Sequence, residues 1–460
     1  MKKRLVILGG GESGTGAALL AQANGYDVFV SDRGPIAEKY KTELGDERIM
    51  FEENGHTEHL ILNADEVIKS PGIPPNAPVV QKLRERGTPV IGELEFAARY
   101  TKARFVAITG TNGKTTTTML TYHLLKENLQ SVALAGNVGT SLARQVAQKE
   151  QPGWYVVEVS SFQLDDMYDF KADVGILLNI TPDHLDRYEG SMEAYTASKF
   201  RIVRNMTAND HFIYVHDDEV TRNETSHRDI PATIYPVSYS TPGDVASGRG
   251  AFVEEGTMKI KWGVDKNELI MPVSDLPLQG RHNTTNAMAA VLAAGIAGAP
   301  KAGIPGAVRS FRSVPHRMED AGTIAGVSFV NDSKATNVDS VWYALDSFSK
   351  PVVWIAGGVD KGNDYSQLDR LVANNVKALV CLGKDNAKLK GYFGGKLERI
   401  EEASSMEEAV EKAAALAIEG EAVLLSPACA SFDLFKNYED RGEQFKAVVN
   451  RMMEEERREQ

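Results

Sequence analysis

Residues 109–118 read TGTNGKTTTT. The apolar stretch FVAI precedes them and MLTYHLLKENL follows, so a strand, a short loop and a helix are expected in that order. Gly110 and Gly113, with Thr111 and Asn112 between them, form a loop whose N–H groups can wrap a phosphate. Lys114 supplies a point charge for the β- and γ-phosphates of a nucleoside triphosphate, and Thr115 a hydroxyl for Mg²⁺. The usual phosphate loop has another glycine five residues before Gly113, where this chain has Ile108. Spacing alone does not say what the shortened loop means. A strand-turn-helix with a surface lysine is the bland alternative; strand, Gly-Lys-Thr and helix together argue against it.

Three further stretches carry groups of chemical interest. Gly9, Gly11 and Gly14 match G-x-G-x-x-G between a strand and a helix, and Asp32 closes the next strand. That arrangement sets a diphosphate on a helix N-terminus, where free N–H groups meet the anion. Glu12 inside the motif opposes an anion unless its side chain points away, and a ligand-free glycine turn is the alternative. In WYVVEVSSFQL, Glu158 ends an apolar strand, where a carboxylate is costly unless paired or metal-bound; it is the natural second Mg²⁺ ligand after Thr115. In LLNITPDHLDRY, His184 reads equally as a metal ligand or a capping histidine. Lys199, in YTASKF, reads as an ordinary surface helix lysine.

The elements that must hold these groups follow from periodicity. RLVIL, DVFVSD, ADEVIKSPG and TPVIG read as strands in the first segment, with GTGAALLAQANG a helix between the first two. A linker is expected near residues 93–104. RFVAITG, WYVVEVSS and ADVGILLNI are the strands of a middle segment, which also contains DVASGRGAFVEEGTMKIKWG, read as a hairpin decoration. A junction falls near SFRSVPHRMED, and four more strands follow: VSFVN, PVVWIAGG, VKALVCLG and EAVLLS. Strands alternating with helices imply parallel sheets. The expected fold is α/β in three domains: 1–95, Rossmann-like; 96–302, P-loop ATPase-like; and 303–460, Rossmann-like.

At 460 residues the chain is too long for one core. A formal charge of −12 excludes a sequence-independent nucleic-acid binder. Cys381 and Cys429 are the only cysteines, which excludes a disulfide framework or a CxxC metal site. The apolar run at residues 5–8 is too short for a signal peptide, and no apolar stretch is long enough for membrane insertion. A cytoplasmic setting is expected.

TGTNGKTTT, GNVG, EVSSFQL, NITPDHLDRY and GRHNTTNAMAA, in this order, resemble the Mur ligase superfamily, which also includes folylpolyglutamate synthetase. That superfamily uses the shorter loop for ATP. NDSKATN, GGVDKG and SPACASFDLFKNYEDRG resemble its D-glutamate-adding branch, so the likeness spans essentially the whole chain.

The resemblance implies an ATP-dependent, ADP-forming amide-bond ligase whose first domain binds UDP, not NAD, despite its dinucleotide fingerprint. Implied substrates are UDP-N-acetylmuramoyl-L-alanine and D-glutamate, with Mg²⁺ as cofactor, two ions being expected. Implied catalytic groups are Lys114, His184 and Lys199, the last carbamylated. ATP falls to Gly110, Thr111, Asn112, Gly113, Lys114, Thr115, Thr116, Asn283, Asn286, Arg317 and Asp332. The UDP substrate falls to Ser13, Gly14, Asp32, Arg33, Ser70, Pro71, Gly72, Asn137 and Ser160. D-glutamate falls to Lys334, Thr336, Lys361, Ser431 and Tyr438, and metal to Thr115, Glu158, His184 and carbamylated Lys199. A monomer is expected. Another Mur-type or folate ligase is the nearest rival; an NAD-dependent oxidoreductase would explain the first glycine motif but leave Gly113, Lys114, Thr115 and Glu158 without a role.

Overall fold

The computed structural model describes residues 2–459 except 149, 184, 240–247, 264–267, 278–279, 313–314, 349 and 361. Among these residues the strands form three sheets, each the centre of an α/β domain. The chain packs into two compact units, Met1–Val273 with Thr285–Val308 and Ser274–Thr284 with Arg309–Gln460; the first unit holds the first two sheets.

The first sheet has β1 (Arg4–Leu8), β2 (Asp27–Ser31), β3 (Met50–Glu52), β4 (Glu66–Lys69) and β5 (Val90–Ile91). Their order is β3-β2-β1-β4-β5 and every pair is parallel. Residues 5–8 are wholly buried, as expected for a parallel strand covered on both faces. Strand order reverses at β1, so the loops after β1 and β4 diverge and open a crevice at the carboxyl ends.

The second sheet contains β6 (Arg104–Thr109), β7 (Val132–Gly136), β8 (Trp154–Glu158), β9 (Val174–Leu177), β10 (His211–Val215), β11 (Thr233–Ser238), β12 (Gly250–Glu254), β13 (Thr257–Lys261) and β14 (Glu268–Pro272). The order is β14-β13-β12-β11-β10-β9-β6-β8-β7. Here β6 lies between β8 and β9, so the phosphate-loop candidate, Glu158 and Asn179 all leave neighbouring strand ends. The β12–β13 hairpin forms as expected, but it is no decoration. Val237 and Ser238 of β11 pair in parallel with Ala251 and Phe252, and Trp262 just beyond β13 donates from Nε1 to the Leu292 carbonyl. The hairpin is the sheet's own continuation, and the sequence hid this because its alternation is that of any half-buried hairpin.

The third sheet contains β15 (Glu319–Ile324), β16 (Val327–Asn331), β17 (Val352–Ala356), β18 (Val376–Leu382), β19 (Ile400–Ala403) and β20 (Ala422–Leu425), ordered β15-β16-β20-β17-β18-β19. Only the β15 edge is antiparallel. β20 lies between β16 and β17, so the loops after these three strands emerge side by side. The charged C-terminus is the end of a long helix, Tyr438–Glu459.

The stretch read as a linker near 93–104 begins as a buried helix. Glu93–Ala98 is a helix whose residues 93–97 are all buried, and β6 begins at Arg104.

Candidate active site

The phosphate-loop candidate turns sharply between β6 and the helix Lys114–Asn128. Gly113 caps that helix with φ of +81°, a left-handed conformation that L side chains resist, and a Cβ there would lie 2.6 Å from Asn286 Oδ1. Glycine is therefore needed twice over, and Asn286 is brought to the loop. Asn283 lies one turn earlier on the same helix, Arg281–Ile296. The loop backbone is held by a side chain that the sequence reading did not single out for this role: Asn179 Oδ1 accepts the Asn112 N–H at 2.8 Å, and its amide donates to the Asn112 carbonyl. Thr111 Oγ1 bonds the Tyr195 hydroxyl at 3.1 Å and accepts the Thr181 N–H.

Two lysines converge on one atom. Lys114 Nζ and Lys199 Nζ each donate to the Gly110 carbonyl at 2.8 Å. Lys199 is not a surface lysine; it is 1% exposed, with its Nζ 4.5 Å from the Tyr195 ring centroid. Burial, and then the charge of Lys114, push its pKa well below the usual lysine value, against the pull of Asp183 and Asp165. The direction of that shift favours the neutral, nucleophilic form of the amine.

Glu158 ends β8 beside Ile108 and is 2% exposed. Asn137 Nδ2 donates to its Oε1 at 2.9 Å, while Oε2 is buried with no hydrogen-bond partner among the described residues. A buried carboxylate oxygen left in that condition suits a cation, so the donor chemistry fits Mg²⁺. Among the described residues no three His, Cys, Asp or Glu side chains gather into a metal-binding group. His184, the other expected ligand, lies outside the described residues, as does Lys361.

In the first sheet the three strand ends deliver Gly9, Asp32 and Ser70 together. Asp32 Oδ2 accepts the Gly10 N–H at 2.7 Å and Oδ1 the Gly34 N–H at 2.8 Å. A Cβ on Gly14 would meet the Gly9 carbonyl oxygen at 1.8 Å, so the helix Glu12–Ala23 can start against the loop only with glycine there. Glu12 does point away: it pairs with Arg144 at 2.9 Å, and that guanidinium also bonds Glu43. Burial alone would raise the Glu12 pKa, but Arg144 and the Ser141 N–H outweigh it and hold the pKa below the usual value. Arg33 is exposed. Arg187 Nη2 donates to the Gly72 carbonyl at 2.9 Å, a contact between the first two domains that the sequence did not signal. Ser160 caps the helix Ser161–Asp165 in a reciprocal pairing with Gln163.

In the third sheet, Asp332 is buried at the end of β16. Burial raises its pKa to about 7, opposed by Arg317, Ser426 and the Met318 N–H. The loops after β17 and β20 are zipped together by paired backbone hydrogen bonds between Val359 and Ala430, one residue before Ser431. Lys334 Nζ sits 5.3 Å from the Tyr438 ring centroid, so two of the residues expected for one pocket meet. Thr336 donates its N–H to the Lys334 carbonyl. Arg441, which was not singled out, is 1% exposed and donates to Ser333, Gly357 and Cys429, one from each of the three loops.

Comparison with known proteins decides the lineage. Residues 4–79 match the MurD N-terminal domain, 108–294 the Mur ligase middle domain and 316–429 the Mur ligase glutamate ligase domain. The chain is 53% identical over 451 residues to a UDP-N-acetylmuramoylalanine--D-glutamate ligase of Cytophaga hutchinsonii, covering 98% of this chain and 99% of that one. A ligase of the same name from Bacteroides fragilis is 51% identical, covering 98% and 100%.

The chain belongs to the Mur ligase family.

Solved Mur ligases share the fold. The UDP-N-acetylmuramate-alanine ligase MurC of Thermotoga maritima superposes with a TM-score of 0.59 at 20% identity, covering 98% of this chain and 99% of that one. The MurF ligase of the same organism, solved with ADP, gives 0.60 at 16% identity, covering 93% and 95%. The Mur ligase chain is thus an ATP-dependent ligase. No helix among its described residues is long and apolar enough to cross a membrane.

Proposed function

We propose that this Mur ligase joins D-glutamate to UDP-N-acetylmuramoyl-L-alanine at the expense of ATP, making a peptidoglycan precursor in the cytoplasm, as a monomer. The observation that carries this reading is the full-length identity of about half with relatives bearing that name. The geometry supplies the means. The substrate carboxylate attacks the γ-phosphate of ATP to give an acyl phosphate and ADP. The amine of D-glutamate then attacks the acyl carbon, phosphate leaves and the amine proton is lost.

Both steps crowd anions, so the contribution of the protein is charge and position. Lys114 has its amine at the mouth of the loop formed by Gly110, Thr111, Asn112 and Gly113, where it meets the phosphates; Thr115, Thr116, Asn283, Asn286, Arg317 and Asp332 complete the ATP set. Glu158 Oε2, the Thr115 hydroxyl, His184 and Lys199 as a carbamate are the groups that would hold Mg²⁺, which when bound neutralises phosphate charge. The lowered pKa of Lys199 favours the neutral amine, the form that captures carbon dioxide, and so supports the carbamate. Ser13, Gly14, Asp32, Arg33, the turn at 70–72, Asn137 and Ser160 take the UDP substrate. Lys334, Thr336, Lys361, Ser431 and Tyr438 receive D-glutamate, whose two carboxylates match two lysines. We set the domain limits at 1–95, 96–302 and 303–460.

The test is an acceptor panel. Phosphate release should require ATP, UDP-N-acetylmuramoyl-L-alanine and D-glutamate together. Equal release with L-alanine, a diamino acid or a folate acceptor overturns the assignment.

A further inference from the structure

The junction of the first two sheets contains acids that the reaction does not use. The helix Glu93–Ala98 carries Glu93 and Glu95 in its first turn, both buried. Buried carboxylates are costly unless hydrogen-bonded, and each of these is bonded to the other domain. Glu93 Oε1 accepts the Ser141 hydroxyl at 2.7 Å and the Ala143 N–H at 2.6 Å. Glu95 accepts the N–H groups of Tyr168, Asp169 and Phe170.

The Glu93 bond matters because of where Ser141 leads. Five residues earlier the same segment leaves β7 at Gly136, and Asn137 there grips Glu158 twice. Its N–H donates to the Glu158 carbonyl, and its Nδ2 to Oε1, each at 2.9 Å. Gly136, just before the first anchor, and Gly139, between the two, have φ of +95° and +88°. Left-handed glycines give the segment little conformational preference of its own, so beyond the Ala135–Thr140 bridge and the Gln145 side chain on the Thr140 carbonyl its shape depends on what holds its ends. At the Ser141 end the holders are Glu93 and Glu12, the latter accepting the Ser141 N–H at 3.2 Å.

We propose that Glu93 is a positioning residue for Glu158: by anchoring Ser141 and Ala143 from the first domain, it fixes the segment whose Asn137 orients the Glu158 carboxylate, leaving Oε2 aimed at the metal. This rests on Glu158 being the Mg²⁺ carboxylate, as argued above. Glu95 is the internal control. It is buried in the same helix and bonds the same domain, but through residues 168–170, with no path to Asn137.

The test is binding of Mn²⁺, standing in for Mg²⁺, to the full chain saturated with a non-hydrolysable ATP analogue, read from the electron paramagnetic resonance of the free ion. Thermal midpoints are recorded for every variant. Glu158→Gln should weaken Mn²⁺ by well over tenfold. Glu93→Ala, which acts through Asn137 and not on the ligand itself, should weaken it by up to about tenfold, the low end for losing an outer-sphere partner. Glu93→Gln, which still accepts both hydrogen bonds, should recover most of the loss. Glu95→Ala should lower the thermal midpoint and leave Mn²⁺ affinity unchanged. Should Glu93→Ala not fold, Ser141→Ala removes one donor with the acid in place, and a loss of a few fold is expected. Unchanged affinity in Glu93→Ala and Ser141→Ala while Glu158→Gln is weakened overturns the positioning role alone. An equal loss in Glu95→Ala overturns it too, since general destabilisation would then suffice. Unchanged affinity in Glu158→Gln overturns the reading of Glu158 as a metal ligand, and the proposal with it.

Discussion

The chain builds two glycine loops on the same plan and charges them oppositely. Each follows a strand flanked on both sides by parallel neighbours and opens a helix, Glu12–Ala23 in one case and Lys114–Asn128 in the other. Around the first, the charged groups that touch the backbone are acids: Asp32 holds the Gly10 and Gly34 N–H groups, and Glu12 is turned aside by Arg144. Around the second they are lysines, both on the Gly110 carbonyl. Backbone N–H groups at a helix N-terminus attract an anion in either case. What differs is the side-chain charge available when negative charge develops during reaction. On the function proposed above, the first loop holds an anion that does not change and the second one that does.

The comparison breaks most easily at Lys114. Lys114→Ala should reduce turnover by roughly a hundredfold or more, the usual cost of removing one preorganised group from a developing charge. The partly exposed side chain makes two carbonyl hydrogen bonds, so the fold should survive. Removing the neighbouring cation should also raise the Lys199 pKa, because that charge helps to depress it. Steady-state kinetics at saturating ATP is the measurement. Near-wild-type turnover would mean that the charge difference between the loops has no catalytic meaning. Lys199→Ala should be nearly as damaging, with partial recovery in concentrated acetate, and carbon-dioxide depletion should slow the wild type only.

Next in size is the amino-acid pocket. Lys334→Ala and Lys361→Ala should each raise the Michaelis constant for D-glutamate about ten- to a hundredfold, the worth of one charge-assisted contact at roughly 1.5–3 kcal/mol. The constant for ATP should hardly move. If D-glutamate is unaffected in both variants, cationic recognition in this protein is confined to the second loop.

Much of this was legible in the sequence, and the reasons differ by region. The strands at 4–8, 104–109, 154–158 and 352–356 announce themselves because buried parallel strands are continuous apolar runs. The loop glycines are legible because backbone geometry leaves no alternative at Gly14 or Gly113. The burial of Lys199 was not. Its helix, Met192–Phe200, has little amphipathic contrast, and what buries the lysine is Tyr195 and the Gly110 carbonyl 89 residues away. The acids at 93 and 95 misled for a similar reason. Charged residues after a short strand suggest a solvated linker, and only the partners at 141–143 and 168–170 make them interior.

Protonation offers a finer test, because the two neighbourhoods respond to pH in opposite directions. Burial raises the Glu93 pKa to about 7 from the usual 4.5, against its hydrogen bonds from Ala143 and Ser141 and with help from the charge of Glu12. Between those values the folded chain keeps a proton that the unfolded chain has lost. Stability therefore falls as pH rises from about 4.5 to 7, by up to roughly 3 kcal/mol, and is flat above that. Glu93→Gln should remove this slope, so its thermal midpoint should gain on the wild type between pH 5 and pH 8. Parallel profiles would show that Glu93 is ionised throughout. Lys199 has the reverse sign: its folded pKa is depressed, the unfolded chain binds the extra proton, and stability rises with pH up to the usual lysine value.

The smallest expected effect is at Arg144, the cation that lets Glu12 sit in the first loop. Its pairs with Glu12 at 2.9 Å and Glu43 at 2.7 Å are partly exposed, with the guanidinium side chain 19% accessible and the acids 37% and 38%. Solvent screening holds such pairs to about 1 kcal/mol or less, so Arg144→Ala should lower the thermal midpoint by only a few degrees. The kinetic consequence should be selective. Without Arg144, Glu12 keeps the Ser141 N–H but loses its counter-charge, and an uncompensated carboxylate then lies beside the loop proposed to hold the diphosphate. The Michaelis constant for the UDP substrate should rise a few fold, that for ATP should stay put, and 0.5 M salt should shrink the difference by screening the exposed acid. Glu12→Gln combined with Arg144→Ala should restore the substrate constant, because the double variant has neither charge. If the double variant is instead worse than Arg144→Ala, the first loop relies on the ion pair as a strut and not on the removal of negative charge, and the two loops differ in architecture more than in electrostatics.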